Sequence, residues 1–577
     1  MTREEKLNAA QEALLKGDTH TAESLYQDVL RGDSSNLRAL DGMGILQCSE
    51  GNAAKGLEYF HEALREIGGE ISNCMQEDER LNLTQSQATL LFHAGLALRS
   101  LARSAEALNA FHESCRLYPH TPEVFLNLGQ IYFEQDEYEN ASACFHNLVA
   151  MQPENASAWL TLGYIYSLRN NHGEAVKALE EAVRLDPASP DACFFLAESL
   201  RKEERYEESL PHYRRMLQVG AEWPQAVHGY GKSLLALGYL EDGWDAMEFR
   251  LASTFGTWER HNLPAWDGAV DESKTVLAYS EEGIGAEILF ASCIPDLVNS
   301  VGCCVVECEQ SLHGLFARSF PRTTLVPLAQ DTIGPDNPWG LSLDAQVAMG
   351  SLPRHFRHSM ASFPLRKGYL VPDRDRVEKW SNRLAEIGGV AKVGVLWHGT
   401  WTAETKEQVS LPMPELRNLM LRHQADAAWV CLQHGSKQKE IDQYRRGVSL
   451  QLRLYPEAFQ YDLDEMAALV AALDLVVTPP GFVAHLAGAL GVKTWLVLPA
   501  KADWRWNLGN PDCLWHTTVQ MYRQKTGQAW SEVFRTLGGD LDKFLSTYRS
   551  PEEGMPVTLE FPVRHAERLS TATRRAG

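Results

Sequence analysis

The stretch Trp159-Leu-Thr-Leu-Gly163-Tyr-Ile-Tyr166, followed by Ala175-Val-Lys-Ala-Leu179 and closed by Pro187, decides the fold of the first half of this sequence. A glycine set between large residues on one run faces a small-then-large pair, four positions apart, on the next. That is the pattern of two helices packed closely against each other. Proline then stops the second helix, because it lacks an N–H and clashes with the preceding turn.

Read outward from there, the pattern repeats. Ala107, Ala141, Ala175, Ser209 and Gly243 recur every 34 residues, with Ala22 and Gly56 spaced identically upstream. Four positions after each stands a larger side chain: Tyr26, Phe60, Phe111, Phe145, Leu179, Tyr213 and Met247. Gly44, Gly95, Gly129, Gly163 and Gly231 hold one first-helix register, Ala197 fills it in the sixth unit, and Pro119, Pro153 and Pro187 close three of the second helices. The interval of 51 between Gly56 and Ala107 marks an insertion near residues 68–84, which contains Gly68 and Gly69. A fixed period of this length predicts stacked helix pairs, seven here, with a continuous core and a long concave groove. The aromatic stripe is core. Groove residues belong on the first helices, where Asn127, Tyr164 and Arg169 are the candidates.

After Arg250 the rhythm stops, and short β-branched runs alternate with helical stretches. Continuous apolar runs at Thr275–Ser280, Gly302–Cys308, Lys392–Trp397, Ala428–Gln433, Leu473–Thr478 and Lys493–Leu498 predict parallel strands buried on both faces. A charged stretch with Gly368 and Pro372 separates the first strands from the rest, so two lobes joined near residues 366–375 are expected. The predicted divisions are a repeat array over 1–255, a first lobe over 256–375, a second lobe over 376–555 and a tail over 556–577.

Composition narrows the function. With 44% hydrophobic residues in 577, the chain has material for more than one core. Its formal charge of -22 repels phosphate backbones and anionic lipid surfaces, so nucleic acid is not an expected partner. No apolar run is long enough to span a bilayer, and MTREEKLNAA lacks the apolar core of a leader, so a cytoplasmic location is expected. The eleven cysteines are scattered; Cys303, Cys304 and Cys308 alternate with valines as in a buried strand, and neither metal nor cofactor is expected.

The chemistry should gather where strands end. In Leu473-Asp-Leu-Val-Val-Thr-Pro-Pro-Gly481-Phe-Val-Ala-His485 a buried strand breaks and a small-residue helix begins. The free N–H groups of Gly481, Phe482 and Val483 form a candidate anion site, and His485 in the first turn could meet a phosphate oxygen or pack as a core imidazole. Val393-Gly-Val-Leu-Trp397-His398-Gly399 and Ala428-Trp-Val-Cys-Leu-Gln433-His434-Gly435 bring polar and flexible groups to the same edge, where ligands of open α/β sheets bind. In the first lobe Tyr279-Ser-Glu-Glu-Gly-Ile-Gly-Ala-Glu287 is a strand entering a glycine-rich turn.

The repeats resemble the tetratricopeptide family. Residues 241–550 resemble the heptosyltransferase-like GT-B glycosyltransferase domain found fused to such repeats. Gly243-Trp244 with Glu248 and Arg250, Leu263-Pro-Ala-Trp-Asp-Gly268, Glu281-Glu-Gly-Ile-Gly285, Val395-Leu-Trp-His-Gly399, Ala484-His-Leu-Ala-Gly-Ala-Leu-Gly491, Asp503-Trp-Arg-Trp506 and Met521-Tyr-Arg-Gln524 followed by Trp530 carry that likeness. The resemblance implies an α solenoid followed by an α/β GT-B pair of Rossmann-like lobes. It also implies a glycosyltransferase that uses a nucleotide-sugar co-substrate without a metal. The acceptor it implies is a protein held in the repeat groove, such as flagellin. The family's usual aspartate in the glycine turn is Ala286 here, which leaves Glu287 or Glu282 to take the acceptor proton. Trp397, His398, Gly399, Gln433, Gly481, Phe482, Val483 and His485 would hold the donor, with Lys501 or Arg505 neutralising the leaving phosphate. The alternatives are an inactive repeat scaffold with a degenerate transferase domain, or a glycan or lipopolysaccharide glycosyltransferase.

Overall fold

The structure is a computed structural model, and it describes residues 1–218, 223–255, 261–329, 339–399, 409–433, 441–442, 446, 450–459, 463–507 and 509–548. The tail over 556–577 and His434 and Gly435 lie outside those residues. The chain divides into two compact units, one of Met1–Glu203 with His212–Ala221, the other of Glu204–Pro211 with Glu222–Gly577.

The first unit is built of antiparallel helix pairs, from Arg3–Leu15 and Thr19–Gly32 through Ala156–Leu168 and His172–Leu185 to Pro190–Lys202. Asp18, Asn36, Asn155 and Ser189 cap helices by accepting the third following backbone N–H. The glycine register explains the tight pairing. A methyl group at Gly95 would lie 2.6 Å from the Phe111 ring, one at Gly129 would lie 2.8 Å from Phe145, and Gly44 and Gly163 are blocked likewise by Phe60 and Leu179. In these four pairs the first helix rests a bare backbone on the side chain sixteen positions on, a phenyl ring in three and Leu179 in the fourth.

The turns repeat as strictly as the helices. Gly17, Gly51, Ala102, Asp136, Asn170, Glu204 and Gly238 all have positive φ, between 56° and 85°, at the turn inside each pair. Their spacing is again 34, except across the insertion. That insertion forms no loop: it lengthens two successive helices, Ala53–Asn73 and Glu77–Ser100, to 21 and 24 residues.

The second unit carries two all-parallel sheets. The first has four strands, β1 (Asp271–Tyr279), β2 (Val301–Cys308), β3 (Thr323–Pro327) and β4 (Ala345–Ala348), in the order β3-β2-β1-β4. The second has six, β5 (Ala391–Val395), β6 (Ala427–Cys431), β7 (Leu452–Arg453), β8 (Leu475–Thr478), β9 (Thr494–Leu498) and β10 (Val519–Arg523), in the order β10-β9-β8-β5-β6-β7. All six predicted strands are present. The four unpredicted ones, β3, β4, β7 and β10, are short or mixed in polarity, so they carry no continuous apolar signal.

The seventh helix pair, Pro224–Ala236 and Leu240–Met247, belongs to this second unit rather than ending a separate array at residue 255. Trp244 explains why. Its ring is 1% exposed and donates from Nε1 to Arg357 O at 2.9 Å, and it meets Trp504 and Trp515 edge-on at 5.6 and 6.2 Å. One apolar core runs from Leu235 and Trp244 through β1, β2 and β4 to the helix Phe482–Ala489 and Trp515. The stretch expected as a linker is docked tightly: Tyr369 and Leu370 both donate to Ala489 O, at 2.8 and 3.0 Å.

Candidate functional site

Both sheets reverse their strand order at one point. In the first the chain builds β1, β2, β3 to one side and returns to place β4 on the other, so the reversal lies between β1 and β4. In the second, β5, β6, β7 go one way and β8, β9, β10 the other, so it lies between β5 and β8. Such a reversal, at the carboxyl ends of the strands, is where ligands of open α/β sheets bind. The segments singled out from sequence leave β1, β5, β6, β8 and β9, and all of them emerge on those edges.

At the second reversal the loops after β5 and β8 touch through backbone. Gly399 faces Pro480 O so closely that no side chain fits there, and its N–H donates to Val409 O at 2.8 Å. His398 donates its N–H to Gln433 Oε1 at 3.0 Å and sets Nδ1 2.7 Å from Ser410 Oγ. Gly481, at φ 155°, begins the helix Phe482–Ala489 with no side-chain cap hydrogen bond, at the carboxyl end of β8. Trp397 sits differently: it is 1% exposed and packs in the core with Val395, Trp429 and Val477. Val483 has a buried side chain and can offer only its N–H.

His485 is also turned inward. Its ring stacks on Trp506 at 4.5 Å and 10°, with Nδ1 3.3 Å from His516 Nε2. Burial holds both imidazoles below their ordinary range, His485 well below it and His516 at about 3, so both are neutral at pH 7. The His485 ring thus faces the core rather than solvent.

At the first reversal Glu287 is buried, accepting from Ser280 Oγ at 2.7 Å and from Glu309 N at 3.1 Å, and burial pushes its carboxyl up to about 7. Glu307 accepts Ser280 N and Ala329 N in the same way, so the two acids brace the loops after β1, β2 and β3. Glu281 and Glu282 differ sharply although adjacent. Glu281 is held by Arg250 through Nε (2.9 Å) and Nη2 (2.6 Å) and accepts Gly350 N at 2.8 Å, which fills the gap between the ends of β1 and β4. Glu282 reaches instead to the second sheet's side, where Arg505 Nη2 donates to it at 2.5 Å. Arg505 also holds Asp503, at 3.1 and 3.2 Å, and lies over the Trp504 ring. Lys501 is exposed on the same loop.

Sequence reading quoted Arg250, Glu281 and Asp503 within the segments that carry the resemblance but gave none of them a role, and it did not single out His516. The one available signal was the doubled acid in the glycine turn: adjacent carboxylates beside a buried strand need cations from elsewhere in the chain. Among the described residues no group of three or more His, Cys, Asp or Glu side chains is placed to hold a metal ion. None of the described helices is long and apolar enough to cross a membrane.

In the first unit, Asn127 accepts from Arg99 at 2.9 Å and donates to Glu123 O at 2.8 Å, and Arg169 donates to Ser142 Oγ at 3.1 Å. Tyr164 stands in a row with Phe133 and Phe195, at ring distances of 5.9 and 4.6 Å.

Comparison with known proteins gives the repeats a family. Residues 92–143, 126–190 and 169–227 match the tetratricopeptide repeat, and the chain carries such repeats. It is 29% identical over 332 residues to Protein FlbA of Caulobacter vibrioides, a match spanning 54% of either chain. The chain thus covers about half the length of that relative. It is 28% identical over 141 residues to Cellulose synthase operon protein C of Pseudomonas fluorescens, covering 24% of this chain and 10% of that one. Among solved structures, YrrB, a TPR protein with an unusual peptide-binding site, aligns at 16% identity and a TM-score of 0.30, covering 35% of this chain and 96% of its own.

Proposed function

We propose that this protein is a glycosyltransferase that moves a sugar from a nucleotide-sugar donor to a serine or threonine of a protein acceptor recruited by the tetratricopeptide repeats, flagellin being the acceptor the fused-domain resemblance suggests. The observation that carries this reading is the meeting of Glu282, from the turn after β1, with Arg505, from the loop after β9, beside the uncapped helix start at Gly481. One side supplies a carboxylate able to accept a hydroxyl proton. The other supplies a cation and backbone N–H groups for a departing phosphate.

In the proposed reaction the acceptor oxygen forms a bond to the anomeric carbon while the bond to the nucleotide phosphate breaks and its electron pair leaves with the phosphate. Glu282 takes the hydroxyl proton. Arg505, Lys501 and the N–H groups of Phe482 and Val483 stabilise the charge on the leaving group, while His398 and Gln433 line the same edge. Ala286, where the family carries an aspartate, contributes nothing to the proton transfer. Trp397, Glu287 and His485 serve this reading as buried supports.

Intact-mass spectrometry of surface proteins from cells with and without this chain tests it. The expected result is a hexose-sized or larger mass increment that disappears with the chain and with Arg505→Gln. Identical acceptor masses in every strain would sink it.

A second reading is favoured by one specific observation: Arg505 is already occupied by two carboxylates, as a domain that no longer binds a donor would allow. On that reading the protein is a repeat scaffold, and titration calorimetry with nucleotide sugars shows no heat.

A further inference from the structure

Among the described residues six charged side chains form one chain of contacts between the two sheets. Glu248 and Glu281 hold Arg250, and Asp503 and Glu282 hold Arg505. Glu282 is the link, because its other carboxylate oxygen lies 3.9 Å from Arg250 Nε. Among the described residues four carboxylates thus face two guanidinium groups, an excess of negative charge that opposes an incoming phosphate. Arg250 is fixed: it is 2% exposed, anchored to Met247 O at 3.0 Å and to Ser351 Oγ at 2.9 Å, and Gly350 has room for no side chain between it and Glu281. Glu282 is the movable member, with its side chain 23% exposed, and it has a cation on either hand.

We propose that Glu282 is a gate on Arg505: an incoming phosphate takes the guanidinium edge that Glu282 holds, and Glu282 swings to Arg250. This rests on the donor reading of the strand ends. The exchange keeps every charge paired, since Arg505 trades one anion for another and Arg250 gains the carboxylate that Arg505 gives up. Arg250 is therefore a positioning residue, supplied by the segment that follows the last helix pair, and it sets where Glu282 rests once a ligand is bound. Donor affinity on this model is limited by competition from the chain's own acid.

Titration calorimetry of the full chain with pyrophosphate, UDP and CMP tests the gate, with thermal melting of each variant as the check on folding. Glu282→Gln keeps the side-chain shape and removes the competing charge, so it is expected to bind the phosphate probe at least fivefold more tightly than the wild type. Arg505→Gln is expected to lose at least tenfold. The double variant should bind no better than Arg505→Gln alone, because the gain acts only through that guanidinium. If the wild type binds and Glu282→Gln binds equally or more weakly, the gate is wrong while the donor site stands. A double variant as tight as Glu282→Gln also overturns the gate, since the gain would then be general charge removal. Silence from the wild type and Glu282→Gln with every probe removes the donor reading and the gate together. Should Glu282→Gln melt early, Glu282→Ala takes its place with the same expected order.

Discussion

The helix pairs of the first unit and the sheets of the second are both dense with glycine and aromatic residues, yet they use them in opposite ways. In the repeats one contact is made again and again: Gly95 on Phe111, Gly129 on Phe145, Gly163 on Leu179. Around the sheets each contact occurs once, between residues far apart in sequence, as with Trp244 and Arg357 or Glu282 and Arg505. A repeated contact spreads its energy over many equivalent places, whereas a single one concentrates it. The difference teaches where the molecule is fragile.

The largest effect is expected at Trp244→Ala. Removing a buried indole from the core shared with Trp504 and Trp515 should cost about 3–5 kcal/mol. In urea the transition of the second unit should move to lower denaturant while that of the repeats stays in place. A uniform shift of both would erase the contrast between the two regions.

Gly129→Ala comes next, at about 1–3 kcal/mol, because the added methyl meets the Phe145 ring and the helices must part. The same change at Gly173, which has open space around it, should lie within about 0.5 kcal/mol of neutral or stabilise slightly. Chemical melting of the pair of variants sharpens the claim that register, not helix propensity, requires glycine.

Acid should separate the regions too. His516 has a folded-state value of about 3 against an ordinary 6.5, so the unfolded chain takes up a proton first as pH falls. Its contribution is intact above pH 6.5 and is lost progressively from 6.5 down to about 3, amounting to roughly 2 kcal/mol at pH 5. Glu287, raised to about 7, has the opposite sign, since the folded chain binds its proton first between 7 and 4.5. The comparison of wild type with His516→Phe at pH 8 and pH 5 cancels that opposing share. The wild type should lose more stability than the variant on acidification, and equal losses would refute the assignment.

The smallest change is Ala102→Gly. Ala102 holds φ 57° at the turn where Gly17, Gly51 and Gly238 stand in other units. Relief of that conformation outweighs the added freedom of the unfolded chain by about 0.5 kcal/mol, a slight rise in melting temperature.

How much of this could be read beforehand follows the same division. The period of 34, the glycine register and the six long strands were legible because each is a local pattern of side-chain size and polarity. The placement of Gly399 and Gly481 at the carboxyl ends of β5 and β8 was legible for a similar reason: a strand that breaks at glycine or proline before a helix must present its backbone at the sheet edge. The inward turn of His485 was not, because position in a first turn leaves the side chain's direction to its neighbours, and Trp506 and His516 lie 21 and 31 residues on. Nor was the fate of Glu281 and Glu282, since two identical neighbours were sorted by an arginine 31 residues before one and another 223 residues after the other.

The amino-acid sequence alone determined that this chain is a run of tetratricopeptide helix pairs followed by parallel strands, because spacing and polarity act over a few turns and need no partner to be recognised. Only the tertiary structure decided that the seventh pair joins the sheets, that Glu287 and His485 lie buried, and that Glu282 meets Arg505. Those outcomes depend on which distant side chain reaches a given charge or ring first, and burial makes that choice binding: an ionic group removed from water is held by whatever partner the fold has brought beside it.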